Sequence, residues 1–132
     1  MNPIIGYRGW QFLNGVLYSL YKNCISGEHQ YWIPGVLFKA NGALDYDNGI
    51  HAFKSIKYFN KSYGEFLYWN ATNMSALIHG EVALWGKIVE HELGYRAEFA
   101  YPKKLYVNKL LRNSKQIFYT LKNKYGCEVE YV

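Results

Sequence analysis

Residues 81–102 read EVALWGKIVEHELGYRAEFAYP, and the way this stretch pairs with itself decides the fold expected of the chain. Two β-prone runs flank His91-Glu92-Leu93-Gly94, so the segment reads as a hairpin with a tight turn. A two-residue Leu93-Gly94 loop would force a left-handed backbone on Leu93, which a γ-branched residue resists. A type I turn over residues 91–94, with Gly94 left-handed as a bulge, avoids that strain. This register sets His91 opposite Tyr95, Glu90 opposite Arg96, Val89 opposite Ala97 and Lys87 opposite Phe99. One face then carries Trp85, Val89, Ala97, Phe99 and Tyr101 as an apolar wall. The other carries Leu84, Ile88, Ala100 and a Glu90–Arg96–Glu98 cluster, whose cross-strand charges would add roughly 0.2–1 kcal/mol per pair.

Upstream, residues 7–21 predict a second hairpin around Asn14-Gly15, the pair best suited to a turn with two left-handed residues. Asn23 to His29 reads as a loop, Gln30–Ile33 as a short strand ended by Pro34-Gly35, and Val36–Ala40 as a further extended piece. Residues 41–49 are rich in turn formers and predict a surface loop. A strand over Gly49–Lys54 places His51 and Phe53 on one side, Ile50 and Ala52 on the other. Ser55 is suited to cap a short helix running to about Tyr63 and closed by Gly64. Met74–His79 is expected to be extended and to lead into the central hairpin.

Downstream, Leu105–Val107 predicts another short strand. A longer amphipathic helix follows, capped by Asn108, with Leu110, Leu111, Ile117, Phe118, Leu121 and Tyr125 on one stripe and Gly126 as its C-cap. Cys127–Val132 closes the chain as a strand. Strands and helices do not alternate regularly. The expectation is therefore one α+β domain over residues 1–132, with a mostly antiparallel twisted sheet of hairpins and two helices.

Composition bounds the function. A chain of 132 residues, half of them hydrophobic and 19% aromatic, can bury a core without staples and is not a disordered segment. No apolar run is long enough to span a bilayer and no export signal is visible, which predicts a cytoplasmic protein. Cys24 and Cys127 make neither a disulfide framework nor a zinc signature. The net charge of +5 is uneven. Lys103, Lys104, Lys109, Arg112, Lys115, Lys122 and Lys124 fall in one stretch without an acid, whereas the rest of the chain is slightly acidic.

The runs Gly80-Glu81-Val82, Leu84-Trp85-Gly86, Val89-Glu90-His91-Glu92, Gly94-Tyr95-Arg96-Ala97-Glu98 and Ala100-Tyr101-Pro102 together resemble a signature of an uncharacterised family of small bacterial and phage proteins. Arg8-Gly9-Trp10, Trp32 with Pro34-Gly35, Gly49-Ile50 with Ala52, and Tyr125-Gly126 are similar to that family's other landmarks. The resemblance spans most of the chain. It implies a shared fold and a prokaryotic or phage origin, and no activity. Where relatives carry Cys-x-Cys this chain has Asp47-Asn48, so a metal role for such cysteines does not carry over.

No phosphate loop, dinucleotide fingerprint, nucleophile elbow or His-Glu-x-x-His motif is present. On a strand, Glu90 and Glu92 share a face while His91 points away, which is poor metal-ligand geometry. Pairing with Arg96 would depress the Glu90 pKa, the wrong direction for a general acid, and favours a structural salt bridge. His51, His79 and Glu81 form a second set near strand ends. A small hydrolase or transferase using His51, Glu81 or Glu90 is thus the alternative reading, with no metal or cofactor. The first reading is a non-enzymatic binding protein, a phage or mobile-element accessory factor such as a host-defence antagonist. Its partner would be anionic: nucleic acid, a nucleotide signal or an acidic protein surface. Tyr95, Arg96, Lys103, Lys104 and Arg112 would supply the contacts, with Trp10 or Trp32 as stacking groups. The plainer reading of the basic stretch is a solvated helix face.

Overall fold

The computed structural model describes residues 2–22, 29–40, 49–60 and 75–132. Residues 23–28 of the loop expected over Asn23–His29, residues 41–48 of the loop expected over 41–49, the end of the middle helix, residues 65–74 and Cys24 lie outside the described residues. The architecture is α+β, with a mostly antiparallel sheet of eight strands among the described residues. In chain order these are β1 (Ile4–Leu13), β2 (Val16–Lys22), β3 (His29–Trp32), β4 (Phe38–Lys39), β5 (Ile50–Phe53), β6 (Ser75–Glu90), β7 (Gly94–Val107) and β8 (Glu128–Tyr131). A helix, α1, begins at residue 56, and α2 spans Ser114–Tyr125.

Local chemistry sets several boundaries as expected. Asn14 and Gly15 adopt φ of 51° and 83°, and Leu13 pairs with Val16 across that turn. Ser55 caps α1, its Oγ accepting from the Tyr58 N–H. Gly126 closes α2 in the left-handed conformation, its N–H donating to the Lys122 carbonyl.

The long strands β6 and β7 are the spine. β6 also pairs with β1, from Ile4↔Leu84 to Leu13↔Ser75. β5 joins the outer edges of β1 and β7, through Tyr7↔Phe53 and through Ile50↔Ala97 to Phe53↔Gly94. The strands β1, β6, β7 and β5 therefore form a closed cycle. Closure demands close approach of backbones: a Cβ on Gly94 would run into the Ala52 carbonyl oxygen. The free edge of β7 is then taken by β4 at Phe99–Ala100 and by β8 at Lys104–Val107, the latter the sheet's one parallel pairing among the described strands.

The register of the central hairpin differs from the expected one. Glu90 pairs with Tyr95, Val89 with Arg96 and Ile88 with Ala97, and His91 N–H donates to the Gly94 carbonyl at 2.9 Å. The turn is one residue tighter than expected, and the irregularity sits between Trp85 and Ile88 instead. Gly86 there has φ of 77°. The left-handed glycine was expected at Gly94, but Gly94 is spent on the contact with β5. Leu84, Ala97 and Ala100 are buried with Ile88 packed against them, whereas Trp85, Val89 and Phe99 stay outside that core cluster. Nor is Leu105–Val107 a separate strand, since β7 runs through without a break.

The core lies between the sheet and α2. Trp10, Leu17, Trp32, Ile78, Val82, Leu84 and Leu105 meet Ile117, Leu121 and Tyr125 of the helix. Trp10 and Trp32 pack edge to face at 5.5 Å, and Trp32 stacks on Phe38 at 4.4 Å. Such pairs add about 0.5–1.5 kcal/mol beyond their buried area. α1 covers the opposite face, where Phe59 packs over Gly9. The helix α2 starts later than expected: the Asn108 carboxamide accepts from Leu110 N–H in a local turn, and Leu110 is 85% exposed. The buried phenol of Tyr125 accepts from Leu17 N–H and donates to the Trp32 carbonyl, both at 2.7 Å. Tyr101 OH in turn donates to the Tyr125 carbonyl at 2.7 Å and accepts from Gly35 N–H at 2.8 Å.

Two substitutions test this account by urea unfolding. Tyr125→Phe strands the buried Leu17 N–H and should cost about 1–3 kcal/mol. An unchanged midpoint would show that the phenol is not the tie between β2, β3 and α2. Gly86→Ala must hold a left-handed alanine against Glu98 and Phe99, and should cost about 1–2 kcal/mol from the backbone alone. A neutral result would return the bulge to the turn.

Candidate functional site

The residues considered for catalysis do not converge. Glu90 is bound to Lys54 at 2.9 Å, and Arg96 makes no ion pair with it. The one-residue shift in register accounts for this correction: Glu90 faces Tyr95, on the side of the strand away from Arg96. Glu81 pairs across the ladder with Lys104. It lies nine residues from Glu90 along one strand, about 30 Å at the usual rise, so the two carboxylates cannot share a substrate. No group of three or more His, Cys, Asp or Glu side chains that could hold a metal occurs among the described residues.

His51 lies in a different company from the one expected. It stands on β5 directly across from Arg96 of β7, and its ring stacks on His91 at 5.3 Å with planes 10° apart. Burial first, then Arg96, His91 and Arg8, hold its pKa down to about 4. His91 is lowered by burial, Arg96 and Lys54. His79 is lowered by burial alone. From His91 a file of rings runs through His51, Phe53, Phe59 and His79 to Tyr106, with neighbouring centroids 4.8–6.1 Å apart. His51 and His79 thus belong to one aromatic file with two phenylalanines between them, and not to one catalytic pocket.

Trp10 and Trp32 are 0% and 1% exposed, so neither offers a stacking surface to a base. They serve the core, and their alternation on β1 and β3 could not reveal which face the helix would cover. Arg8, seen in the sequence only as part of a landmark, lies with its guanidinium 4.8 Å from the Trp32 ring and 5.5 Å from Trp10. It donates to the His51 carbonyl at 3.2 Å. Tyr95 packs against the core beneath Lys54, whose Nζ is 5.8 Å from the ring.

The basic stretch divides. Lys104 is engaged by Glu130 at 3.0 Å and lies over Tyr106. Lys103, Lys109, Arg112, Lys115, Lys122 and Lys124 are exposed. Arg112 and Lys115 flank Tyr119 in an open groove completed by Asn113, Ser114 and Gln116, and Tyr119 is 51% exposed. The first turn of α2 carries no acid. A second groove, at the other end of the helix, is mixed in charge, with Lys104 and Lys122 beside Glu128 and Glu130. Arg96 and Arg112, expected in one contact surface, lie apart: α2 packs on the core side of β7 with Ala97, whereas Arg96 alternates to the other side.

Cys127 is a free thiol pushed up to about 11 by burial, which removes it as a nucleophile at neutral pH. No helix among the described residues is long and apolar enough to cross a membrane. No protein-family model, no curated protein and no solved structure matches the chain. The phage-type signature therefore remains a resemblance.

The three histidines generate a pH prediction. Their folded pKa values lie below the unfolded value near 6.5, so between the two the unfolded chain binds more protons and stability rises with pH. Above pH 6.5 the contribution is level. As pH falls from 6.5 toward 4, the urea midpoint should drop, and His51→Gln should flatten that drop. A midpoint constant across this window would contradict the enclosed positions of His51 and His79.

Proposed function

We propose that this chain is a non-enzymatic binding protein for an anionic partner, single-stranded nucleic acid foremost, and that the N-terminal half of α2 is its docking face. The observation that carries this reading is the groove in which Arg112 and Lys115 flank the half-exposed ring of Tyr119, with no acid in the helix's first turn. Cations neutralise phosphates, and a tyrosine presents a π-face that any base can stack on. Lys109, three residues before Arg112, is exposed as well. The opposite end of the helix suits phosphate poorly, because Glu128 and Glu130 stand beside its lysines. A nucleotide signal would use the same ring and cations on a smaller scale, whereas an acidic protein surface would use the cations and leave Tyr119 idle. A twisted sheet of hairpins would hold this amphipathic helix rigidly by its buried stripe. A phage or mobile-element accessory role in a bacterial cytoplasm, including antagonism of host defence, is the setting that the sequence resemblance suggests.

The test is anisotropy of a labelled single-stranded oligonucleotide titrated with the full chain between 50 and 200 mM salt. Affinity should fall with log salt at about −0.7 per phosphate neutralised, and the double variant Arg112→Ala, Lys115→Ala should shallow the slope by about 1.4. Tyr119→Ala should cost about 1–3 kcal/mol with the slope retained. Polyglutamate should compete poorly. Binding that ignores all three substitutions, or equal competition by polyglutamate, would overturn the reading.

A further inference from the structure

Next to the groove that holds Tyr119, the last strand brings a second exposed ring to the same helix. On β8 the two-residue period of a strand sets Val129 and Tyr131 on one face, Glu128 and Glu130 on the other. Val129 packs against the core. Tyr131 stacks instead on Phe118 of α2, with centroids 4.4 Å apart and planes 17° from parallel, and is still 41% exposed. Phe118 also meets Tyr119 edge-on at 5.4 Å, and Tyr119 is 51% exposed. One half-buried ring thus touches both exposed tyrosines, which lie no farther apart than those two separations laid end to end. The backbone holds this arrangement: Val132 N–H donates to the Val107 carbonyl at 3.0 Å, and Lys109 N–H donates to the Val132 carbonyl at 3.1 Å. The exposed Lys109 therefore follows the end of β8, while Arg112 and Lys115 flank Tyr119. None of these three cations is in an ion pair among the described residues. Glu130, the acid beside Tyr131 in sequence, is bound to Lys104 at 3.0 Å.

We propose that Tyr131 is a second stacking platform beside Tyr119, which makes the ligand of this face a single strand with at least two unpaired bases. The inference rests on the nucleic-acid reading above and narrows it. The three rings belong neither to the buried core cluster nor to the hydrophobics packed against it. Exposed aromatic surface gathered in one place, outside the core, marks a contact surface. Every base has a π-face, and the unpaired bases of a single strand can be splayed onto separate rings. A duplex offers no such faces, because its bases stay stacked about 3.4 Å apart along each strand. A mononucleotide carries one base and fills one platform. The cations follow the rings: Arg112 and Lys115 meet phosphate at the Tyr119 end, and Lys109 meets it at the Tyr131 end. Because α2 and β8 are both anchored in the fold, the platforms are set before the strand arrives, which lowers the ordering cost on binding.

The experiment is calorimetric titration of the full chain with octathymidylate. Two controls carry a similar number of phosphates: the fully abasic strand, and a short duplex closed by a non-nucleotide linker. Tyr131→Ala should weaken octathymidylate binding by about fivefold to about 150-fold, the worth of one stacked base, with the salt slope retained. It should leave the abasic strand and the duplex unchanged, since neither offers a free base. Tyr131→Phe keeps the ring and should bind as the native chain does. Should Tyr131→Ala lower the urea midpoint, Tyr131→Leu still covers Phe118 without an aromatic face and should lose affinity likewise. A loss with Tyr119→Ala and none with Tyr131→Ala would overturn the second platform and leave the nucleic-acid reading standing. So would a Tyr131→Ala loss that is equal on the abasic strand, or a duplex that binds as tightly as the single strand. A native chain that binds no strand would overturn both.

Discussion

The phenol of Tyr125 is the contact through which helix and sheet hold one another. A buried hydroxyl must both give and accept, and here it accepts from Leu17 N–H on β2 and donates to the Trp32 carbonyl on β3. Enclosure pushes its pKa up to about 12, so it remains a donor at any physiological pH. Because Tyr101 from β7 donates to the Tyr125 backbone carbonyl and accepts from Gly35, the end of α2 is fixed to three parts of the sheet at once. With Leu121 and Ile117 buried one and two turns earlier, the rotation of the helix about its axis is determined. The face that Arg112, Lys115 and Tyr119 present is thereby a consequence of the core.

What could be read from the sequence was what local chemistry decides. Asn14-Gly15 marks its turn, Ser55 its cap and Gly126 its helix end, because each meets a need set within a few residues. The central hairpin was legible as a hairpin and illegible in register. Turn chemistry alone made Gly94 the left-handed residue; the structure uses that glycine to let β5 approach, and places the bulge at Gly86, eight residues upstream. Only the long-range pairing of Ala52 with Tyr95 separates these two uses. The same limit governs Asn108 and Leu110. Their spacing matches a helix start, yet an Asx-type turn satisfies it equally well, and the strand parallel to β7 sets where α2 may begin.

The candidate site was less legible than the fold for a related reason. Charge partners are chosen by tertiary neighbours, and the β5 segment that brings Lys54 to Glu90 and His51 to Arg96 lies about forty residues away in sequence from both acid and base. A sequence reading pairs Glu90 with Arg96 because they are close along one hairpin. The structure gives each a partner from β5 or its edge, one opposite in charge and one an imidazole. The tryptophans show the converse: their chemistry fits base stacking, and only burial excludes it.

Charge disposition also separates the paired cations from the unpaired ones. An exposed ion pair contributes about 0–1 kcal/mol, so Lys54–Glu90 and Lys104–Glu130 are weak as stabilisers. Their stronger effect is to remove two carboxylates and two cations from the surface balance. Glu81 lies across the ladder from Lys104, Glu90 and Glu130 each bind a lysine, and Glu98 accepts the Lys87 N–H. Among the described residues, the exposed cations outside these pairs include Lys109, Arg112 and Lys115 around the start of α2. Cations standing in open water gain from an anion chiefly when it touches several at once and displaces their counterions together. At Arg96 the Nε is enclosed, and the His51 and His91 rings lie parallel at 5.3 Å. The two environments differ in burial, and around Arg96 that burial follows from the pairing of β5 with β7.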